Sequence, residues 1–261
     1  MCYRCPVRPV ALTIAGSDPS GGAGLQADLA VFAAFGLHGA SVATALTVQD
    51  TRGVRAVAPV AADVVRAQLD AVLGDFEVRA TKTGMLHRAE IVIAVAERLA
   101  RLALVVDPVA AASDGTALLD EDGIDAVRRL LLPIAAVVTP NLREAELLID
   151  RPVRDPDEMR AAARALVELG ARAALVKGGH LEGDALDVFY DGREFRELAA
   201  PRITGGPVHG TGCALSAAIA AQLAAGRELP DAIAEAKRFV TRAIAGAVAI
   251  GRGARLLDLR G

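Results

Sequence analysis

The sequence predicts a layered α/β fold, a mostly parallel central sheet with helices on both faces. Three observations predict it. Short runs that are almost wholly apolar, at 103–106, 135–138 and 173–176, alternate with longer segments of helical spacing. Bare apolar runs of this length suit strands buried on both faces of a parallel sheet. Each run stops at a polar residue or a glycine, as strands do where the chain turns into a crossover helix. Finally, 53% of the 261 residues are hydrophobic, enough to fill a sizeable core, although aromatics reach only 3% and much of the rest is alanine.

Taken in order, the pattern reads as a strand at 10–15, a helix at 24–35, a strand at 41–48 and a helix at 62–73. A short strand at 78–81 precedes a helix at 89–101. Helices at 121–132 and 157–169 separate the three bare apolar strands. One hairpin interrupts the alternation: runs at 187–190 and 194–198 flank Asp191-Gly192, a turn pair that favours reversal. Helices at 213–224 and 230–250 close the chain. No linker rich in Pro, Gly or Ser divides it, so residues 10–261 read as one domain behind an N-terminal extension at 1–9.

Several function classes fall away. A net charge of -3 with scattered Lys and Arg gives no broad grip on nucleic acid. No apolar run reaches the ~18 residues of a membrane span, since even 213–225 is broken by Ser216 and Gln222. The opening MCYRCPVRPV lacks the apolar stretch of a secretory signal. Three cysteines, Cys2, Cys5 and Cys213, make no disulfide framework, so a reducing cytoplasm is the expected compartment. Cys2 and Cys5 would be half of a zinc site whose other half is missing.

In parallel sheets, ligands gather where strands end and helices begin. Here those ends are polar and glycine-rich: Gly16-Ser17-Asp18, Gln49-Asp50, Thr83-Gly84-Met85, Asp107-Pro108, Thr139-Pro140-Asn141 and Lys177-Gly178-Gly179-His180. Any one of them is an ordinary turn. Their recurrence at one edge marks that edge as the candidate site.

Two stretches concentrate glycine at a helix start. GSDPSGGAGLQAD, 16–28, fails as a Walker A loop because Gly22-Ala23 stands where Lys and a hydroxyl belong. It also fails as a dinucleotide fingerprint, because the loop before Gly22 is too long. A plain glycine-rich helix cap explains it as well as a ligand loop does. HGTGCALSAAIAA, 209–221, sets Gly210-Thr211-Gly212 at the mouth of a small-residue helix. Unpaired N–H groups and the helix dipole favour an anion there. Cys213 feels the same field, so its thiol is expected to ionise more readily than usual. A base and an anion hole on one turn suit phosphoryl transfer. A tight turn with Cys213 as a small filler explains the stretch alone at least as well. Asp107, Asn141, Glu144 and Glu146 add carboxylates and an amide for a metal, and Lys177 adds a cation for phosphate.

With these residues in view, the sequence resembles the hydroxymethylpyrimidine and phosphomethylpyrimidine kinases of thiamine biosynthesis, members of the ribokinase-like superfamily. The stretches that carry the resemblance are LTIAGSDPSGGAGLQADLAVFAAFG, SVATALTVQDTRGV, TKTGML, VVDPV, VTPNLREAE, LVKGGH, DVFYDG and HGTGCALSAAIAA, in that order along the chain. The resemblance implies a ribokinase-like three-layer sandwich. It implies ATP and Mg²⁺ as cofactors, a homodimer, and two successive phosphorylations of the pyrimidine. Gly16, Asp28, Gln49, Met85 and Val109 match positions lining the pyrimidine pocket. Gly210, Thr211 and Gly212 match the anion hole and Cys213 the catalytic base. Asp107, Asn141 and Lys177 match the triphosphate region, and Glu144 the metal position. The chain departs from the family pattern at 110–116 and at Pro207-Val208. Two rivals remain: a pyridoxal or pyridoxine kinase on the same scaffold, and a non-catalytic pyrimidine-binding protein. A pure binder needs no Cys213, Lys177, Glu144 or Asp107.

Overall fold

The computed structural model describes residues 8–99, 102–112, 115–179 and 183–260. Cys2, Cys5, Ser113, Asp114 and His180 lie outside the described residues. Strand β1 (Val10–Ser17) leads into helix α1 (Gly24–Ala34), then β2 (His38–Asp50) and β3 (Gly53–Pro59). Next come α2 (Ala62–Asp75), β4 (Val78–Thr83), α3 (Ala89–Leu99), β5 (Ala103–Val106) and α4 (Glu121–Ala126). After β6 (Val137–Val138) follow α5 (Leu142–Ile149), α6 (Pro156–Glu168), β7 (Ala174–Lys177), β8 (Ala185–Tyr190) and β9 (Phe195–Ala200). The described chain ends with β10 (Val208–His209), α7 (Thr211–Ala224), α8 (Leu229–Ala245) and β11 (Arg255–Leu256).

Nine strands form one sheet in the order β3-β2-β1-β4-β5-β6-β7-β8-β9. The six from β2 to β7 are parallel, as expected. The two edges are antiparallel: β3 on β2, and the β8–β9 hairpin on β7. That hairpin turns through 191–194, where the Asp191 carboxylate accepts from the N–H groups of Arg193 and Glu194.

Side chains alternate across each strand, so the sheet feeds two cores. Leu12, Ile14, Leu104, Val106, Ala174 and Val176 pack with α2, α3, α5 and α6 on one face. Ala11, Ala80, Val105, Val137 and Leu175 pack with α1, α7 and α8 on the other. Helix α7 is buried on nearly every side, and its run of alanines lets it lie close to the sheet while α8 covers it.

The structure corrects the sequence reading at several elements. Strand β3 was not foreseen, because its residues are half exposed and small, with little alternation to read. It ends at Pro59, which an edge strand tolerates. Helix α5 was also not foreseen, although Asn141 and Glu144 form a full capping box at its start. The expected helix at 121–132 is regular only to Ala126. A π-turn at Val127–Leu131 and a 3-10 turn at Leu132–Ile134 follow, because Pro133 has no N–H and its ring blocks the α-helical ladder. The expected helix at 230–250 stops at Ala245, after which residues 247–256 form a strap in which Val248 bridges to Leu256.

The close seat of α7 yields a prediction. Ala218 is wholly buried. Ala218→Leu overpacks that layer and should lower stability by about 1–3 kcal/mol, read as a drop in the urea midpoint. An unchanged midpoint contradicts the tight packing.

Candidate active site

Five strand ends on one face of the sheet build the site. Ala11, Ala80, Val105, Val137 and Leu175 point into the α1–α7–α8 core. Two residues further along each chain segment, the same alternation sends Thr13, Lys82, Asp107, Thr139 and Lys177 to that face. Thr13 and Lys82 are register partners in β1 and β4. All but Lys177 are buried to 2% exposure or less. Helix α7 begins directly over them.

These groups pair with one another. The Lys177 ammonium lies 2.9 Å from Asp107 Oδ1 and 3.9 Å from Glu144 Oε2. Ser216, one turn into α7, donates to Asp107 Oδ2 at 3.0 Å, and Thr139 donates to Oδ1 at 3.3 Å. Burial raises the Asp107 carboxyl, but the charges of Lys177 and Lys82 outweigh it and hold the group below the usual carboxylate range. Lys177 is correspondingly held charged: burial opposes this, but Asp107 and Glu144 prevail. Glu144 is locked by its capping box, accepting from the Asn141 N–H at 2.8 Å while Asn141 Oδ1 accepts from the Glu144 N–H at 2.9 Å. Burial pushes the Glu144 carboxyl up to about 7, with Asp107 adding to the rise and Lys177 opposing it.

The turn before α7 is set by glycine. Gly210 has φ +81°, and a Cβ there would fall on the Gly22 carbonyl oxygen. The turn therefore packs backbone to backbone against the loop at 16–28. Gly24, at φ +57°, approaches the Gly16 carbonyl in the same way. No side chain caps α7. Its first N–H groups, at Thr211, Gly212 and Cys213, therefore have no side-chain cap, and the Lys177 ammonium lies 3.2 Å from where a Gly212 Cβ would be.

Two expectations need correction. The Cys213 thiol does not ionise more readily than usual. Burial pushes it up to about 11, and Asp28 and Asp107 add to the rise against the pull of Lys82 and a bond from the Gly24 N–H. Desolvation and two carboxylates outweigh Lys82 and the Gly24 N–H. Asp28 is wholly buried rather than lining an open pocket. Its Oδ2 accepts from Thr13 at 2.6 Å and pairs with the Lys82 ammonium at 2.7 Å.

The other expected pocket residues divide into two groups. Gly16, Met85 and Val109 come together: the Met85 sulfur sits 3.0 Å from where a Gly16 Cβ would be, and Val109 packs with Met85, Ala45 and Leu118. Thr44 fixes Met85 by donating to its carbonyl at 2.6 Å. At the divergent segment 110–116, the Ala112 N–H donates to the Thr116 carbonyl at 2.9 Å, and Leu118 just beyond it joins this wall. Gln49 lies within β2, not beyond it. Its amide is 3.0 Å from His209 Nε2, which is 2.9 Å from Asp18 Oδ2. Burial raises the Asp18 carboxyl, but bonds from His209 and Ser20 hold it below the usual range.

Lys82, Ser216, Thr139 and the Asp18–His209 contact had no assigned role in the sequence. Lys82 alone left a signal there, a lysine flanked by Thr81 and Thr83 within a short strand, which demands a partner once buried.

A mostly parallel sheet with helices on both faces, and an uncapped helix start set beside Lys177 and Asp107 at its carboxyl edge, is the architecture of ribokinase-like kinases of small molecules. The phosphomethylpyrimidine kinase profile matches residues 18–258, and the chain belongs to that family. It is 51% identical over 250 residues to a hydroxymethylpyrimidine/phosphomethylpyrimidine kinase of Rhizobium meliloti (strain 1021), covering 94% of each chain. Among solved structures, it superposes on phosphomethylpyrimidine kinase from Clostridium difficile with a TM-score of 0.80 and 38% identity, covering 90% of this chain and 99% of that one. An ADP complex of Bacillus subtilis pyridoxal kinase matches with a TM-score of 0.89 and 36% identity, covering 96% and 97%.

The glycine turn yields a prediction. Gly210→Ala should raise KM for ATP and lower kcat, together by about 10²-fold, the scale of a lost anion-hole donor. Steady-state kinetics on a variant that melts as a single folded species check it, and near-normal values would contradict the packing of Gly210 on Gly22.

Proposed function

We propose that this chain transfers the γ-phosphoryl group of ATP to the hydroxymethyl oxygen of 4-amino-5-hydroxymethyl-2-methylpyrimidine. It then phosphorylates the resulting monophosphate, giving the pyrophosphate used in thiamine biosynthesis. The observation that carries this is the uncapped start of α7, with Cys213 in its first turn and Lys177 beside Gly212. A site for binding alone has no use for that set.

The pyrimidine lies against Gly16, Met85 and Val109, with Gln49 reading its amino and ring-nitrogen edge once released from His209. Asp28 supports this pocket from beneath. The triphosphate lies along Gly210, Thr211 and Gly212 towards Asp107, Asn141 and Lys177. As the substrate oxygen bonds to γ-phosphorus, the bond to the bridging oxygen breaks and ADP leaves with that electron pair. The α7 N–H groups and Lys177 hold the charge on the transferring group. The hydroxyl proton passes to Cys213 in its thiolate form. As a thiol, the dominant form in the free site, Cys213 orients the hydroxyl.

Mg²⁺ enters with the nucleotide. Among the described residues, no cluster of three His, Cys, Asp or Glu makes a metal cage. Mg²⁺ held mostly by phosphate and water needs none, so a single buried carboxylate, Glu144, suits it. The ion would neutralise phosphate charge.

The same reading includes a homodimer and a cytoplasmic setting, where ATP is supplied and Cys213 stays reduced. In support of a dimer, the β2–β3 ribbon exposes Leu46 and Val48, at 56% and 55%, on one face. Among the described residues, no helix is long and apolar enough to cross a membrane.

The direct test is product analysis with ATP, Mg²⁺ and the hydroxymethylpyrimidine, with pyridoxal in a parallel reaction. The pyrimidine pyrophosphate is expected. Pyridoxal phosphate without pyrimidine turnover would overturn the substrate assignment, and no ADP in either reaction would overturn the activity.

Cys213→Ala should lower kcat by about 10²-fold, as expected for a lost general base. Because only the thiolate accepts a proton, kcat of the unaltered chain should climb with pH towards about 11, and the variant should lose that climb. Near-normal turnover in the variant would contradict the role. Gln49→Ala should raise KM for the pyrimidine by at least about ten-fold and leave KM for ATP within about two-fold, the pattern of a lost ground-state contact. Equal effects on both would contradict its place in the pocket.

A further inference from the structure

Phosphoryl transfer as proposed leaves the buried charge of Lys82 unused. Lys82 has no solvent exposure, and its ammonium meets Asp28 Oδ2 at 2.7 Å. Asp28 Oδ1 is buried with no hydrogen-bond partner. A buried ion pair with an orphaned oxygen is costly and does not explain itself by stability.

Its position suggests what it does. On α1, Gly24 and Asp28 are one turn apart, so they share a helix face. The Gly24 N–H reaches Cys213, and Asp28 follows one turn further along the same helix. The Lys82 ammonium lies 3.0 Å from where a Gly84 Cβ would be, at the carboxyl end of β4, the strand on which α7 packs. The charged groups that act on Cys213 are Asp28 from α1, Lys82 from β4, Asp107 beyond β5 and Lys177 from β7. Lys177 is bound to Asp107 and Glu144 on the triphosphate side. Lys82 is the cation on the substrate side.

We propose that Lys82, held by Asp28, is a positioning residue for the proton step at Cys213: it supplies the buried positive charge against which the sulfur accepts the substrate proton. This rests on the reading of Cys213 as the group facing the substrate hydroxyl. The two lysines then divide the work, Lys177 serving the triphosphate and Lys82 the acceptor sulfur. Lys82 touches neither substrate nor nucleotide. Burial opposes its charge, but Asp28 and Asp107 keep it protonated.

The test uses the full chain with Cys2→Ser and Cys5→Ser, leaving Cys213 as its sole thiol. Well below the thiol's titration, the rate of alkylation by iodoacetamide is proportional to thiolate, so it reads the charge balance without any turnover. Asp28→Asn keeps the cation and removes the opposing carboxylate. It should speed alkylation of Cys213 by at least about three-fold. Asp28→Asn with Lys82→Gln replaces the ion pair by a neutral hydrogen-bonded pair of similar volume, an exchange that folds tolerate. It should slow alkylation to below the rate of the parent chain, because Lys82 acts on the sulfur more strongly than Asp28 does. It should also lower kcat by about ten-fold or more with little change in KM for ATP. A merely structural pair predicts no opposite-signed shifts. If Asp28→Asn alone does not fold, the double variant decides. Parental alkylation and parental kcat in the double variant would overturn the proposal. If alkylation shifts as stated while no variant and no parent turns over the pyrimidine, the proposed function fails and the electrostatic coupling stands.

Discussion

The site depends on one constraint, the two-residue alternation of side chains in parallel strands. Because neighbouring parallel strands run in step, residues two places after each core-facing residue emerge on the same face at the same edge. Thr13, Lys82, Asp107, Thr139 and Lys177 are those residues. A slip of one position in any of these strands would send its polar residue into the α2–α3–α6 core instead. The hydrophobic pattern that fixes the fold therefore also fixes the chemistry.

The second requirement is a helix able to sit directly on that polar layer. An ordinary helix with large side chains would hold its N-terminus several ångströms away. Six of the fourteen residues of helix α7 are alanine, and Ser216 and Gln222 are among its buried residues. This accounts for a composition rich in alanine and poor in aromatics. Ser216 ties the helix to Asp107 at 3.0 Å, and the glycine turn ties its start to the loop at 16–28. The charges beneath it balance: Lys82 and Lys177 against Asp28 and Asp107. That balance explains why Cys213 remains a thiol in the free site, since a thiolate would add an unmatched buried charge.

The central strands and the helices between them were legible because apolar runs and helical spacing are strong local signals. The candidate edge was legible too, because six strand ends carried polar or glycine residues. What local pattern did not carry was partnership across the chain. Lys82 and Asp28 are 54 residues apart, and only the folded chain shows them as a pair. The same holds for His209, whose contact with Asp18 spans 191 residues. The thiol of Cys213 was misjudged for this reason: the helix start was visible, but not the burial and the carboxylates around it. Strand β3 was missed because an exposed edge strand of small residues needs little hydrophobic pattern. Helix α5 had its signal in Asn141 and Glu144, which were weighed as ligands and serve first as a cap.

The most direct measurement of the central claim is a crystal structure of the chain with a non-hydrolysable ATP analogue, Mg²⁺ and the hydroxymethylpyrimidine. The account predicts terminal phosphoryl oxygens on the N–H groups at the start of α7, and the substrate hydroxyl within hydrogen-bond reach of the Cys213 sulfur. A triphosphate bound away from α7, or a hydroxyl facing away from Cys213, would contradict it.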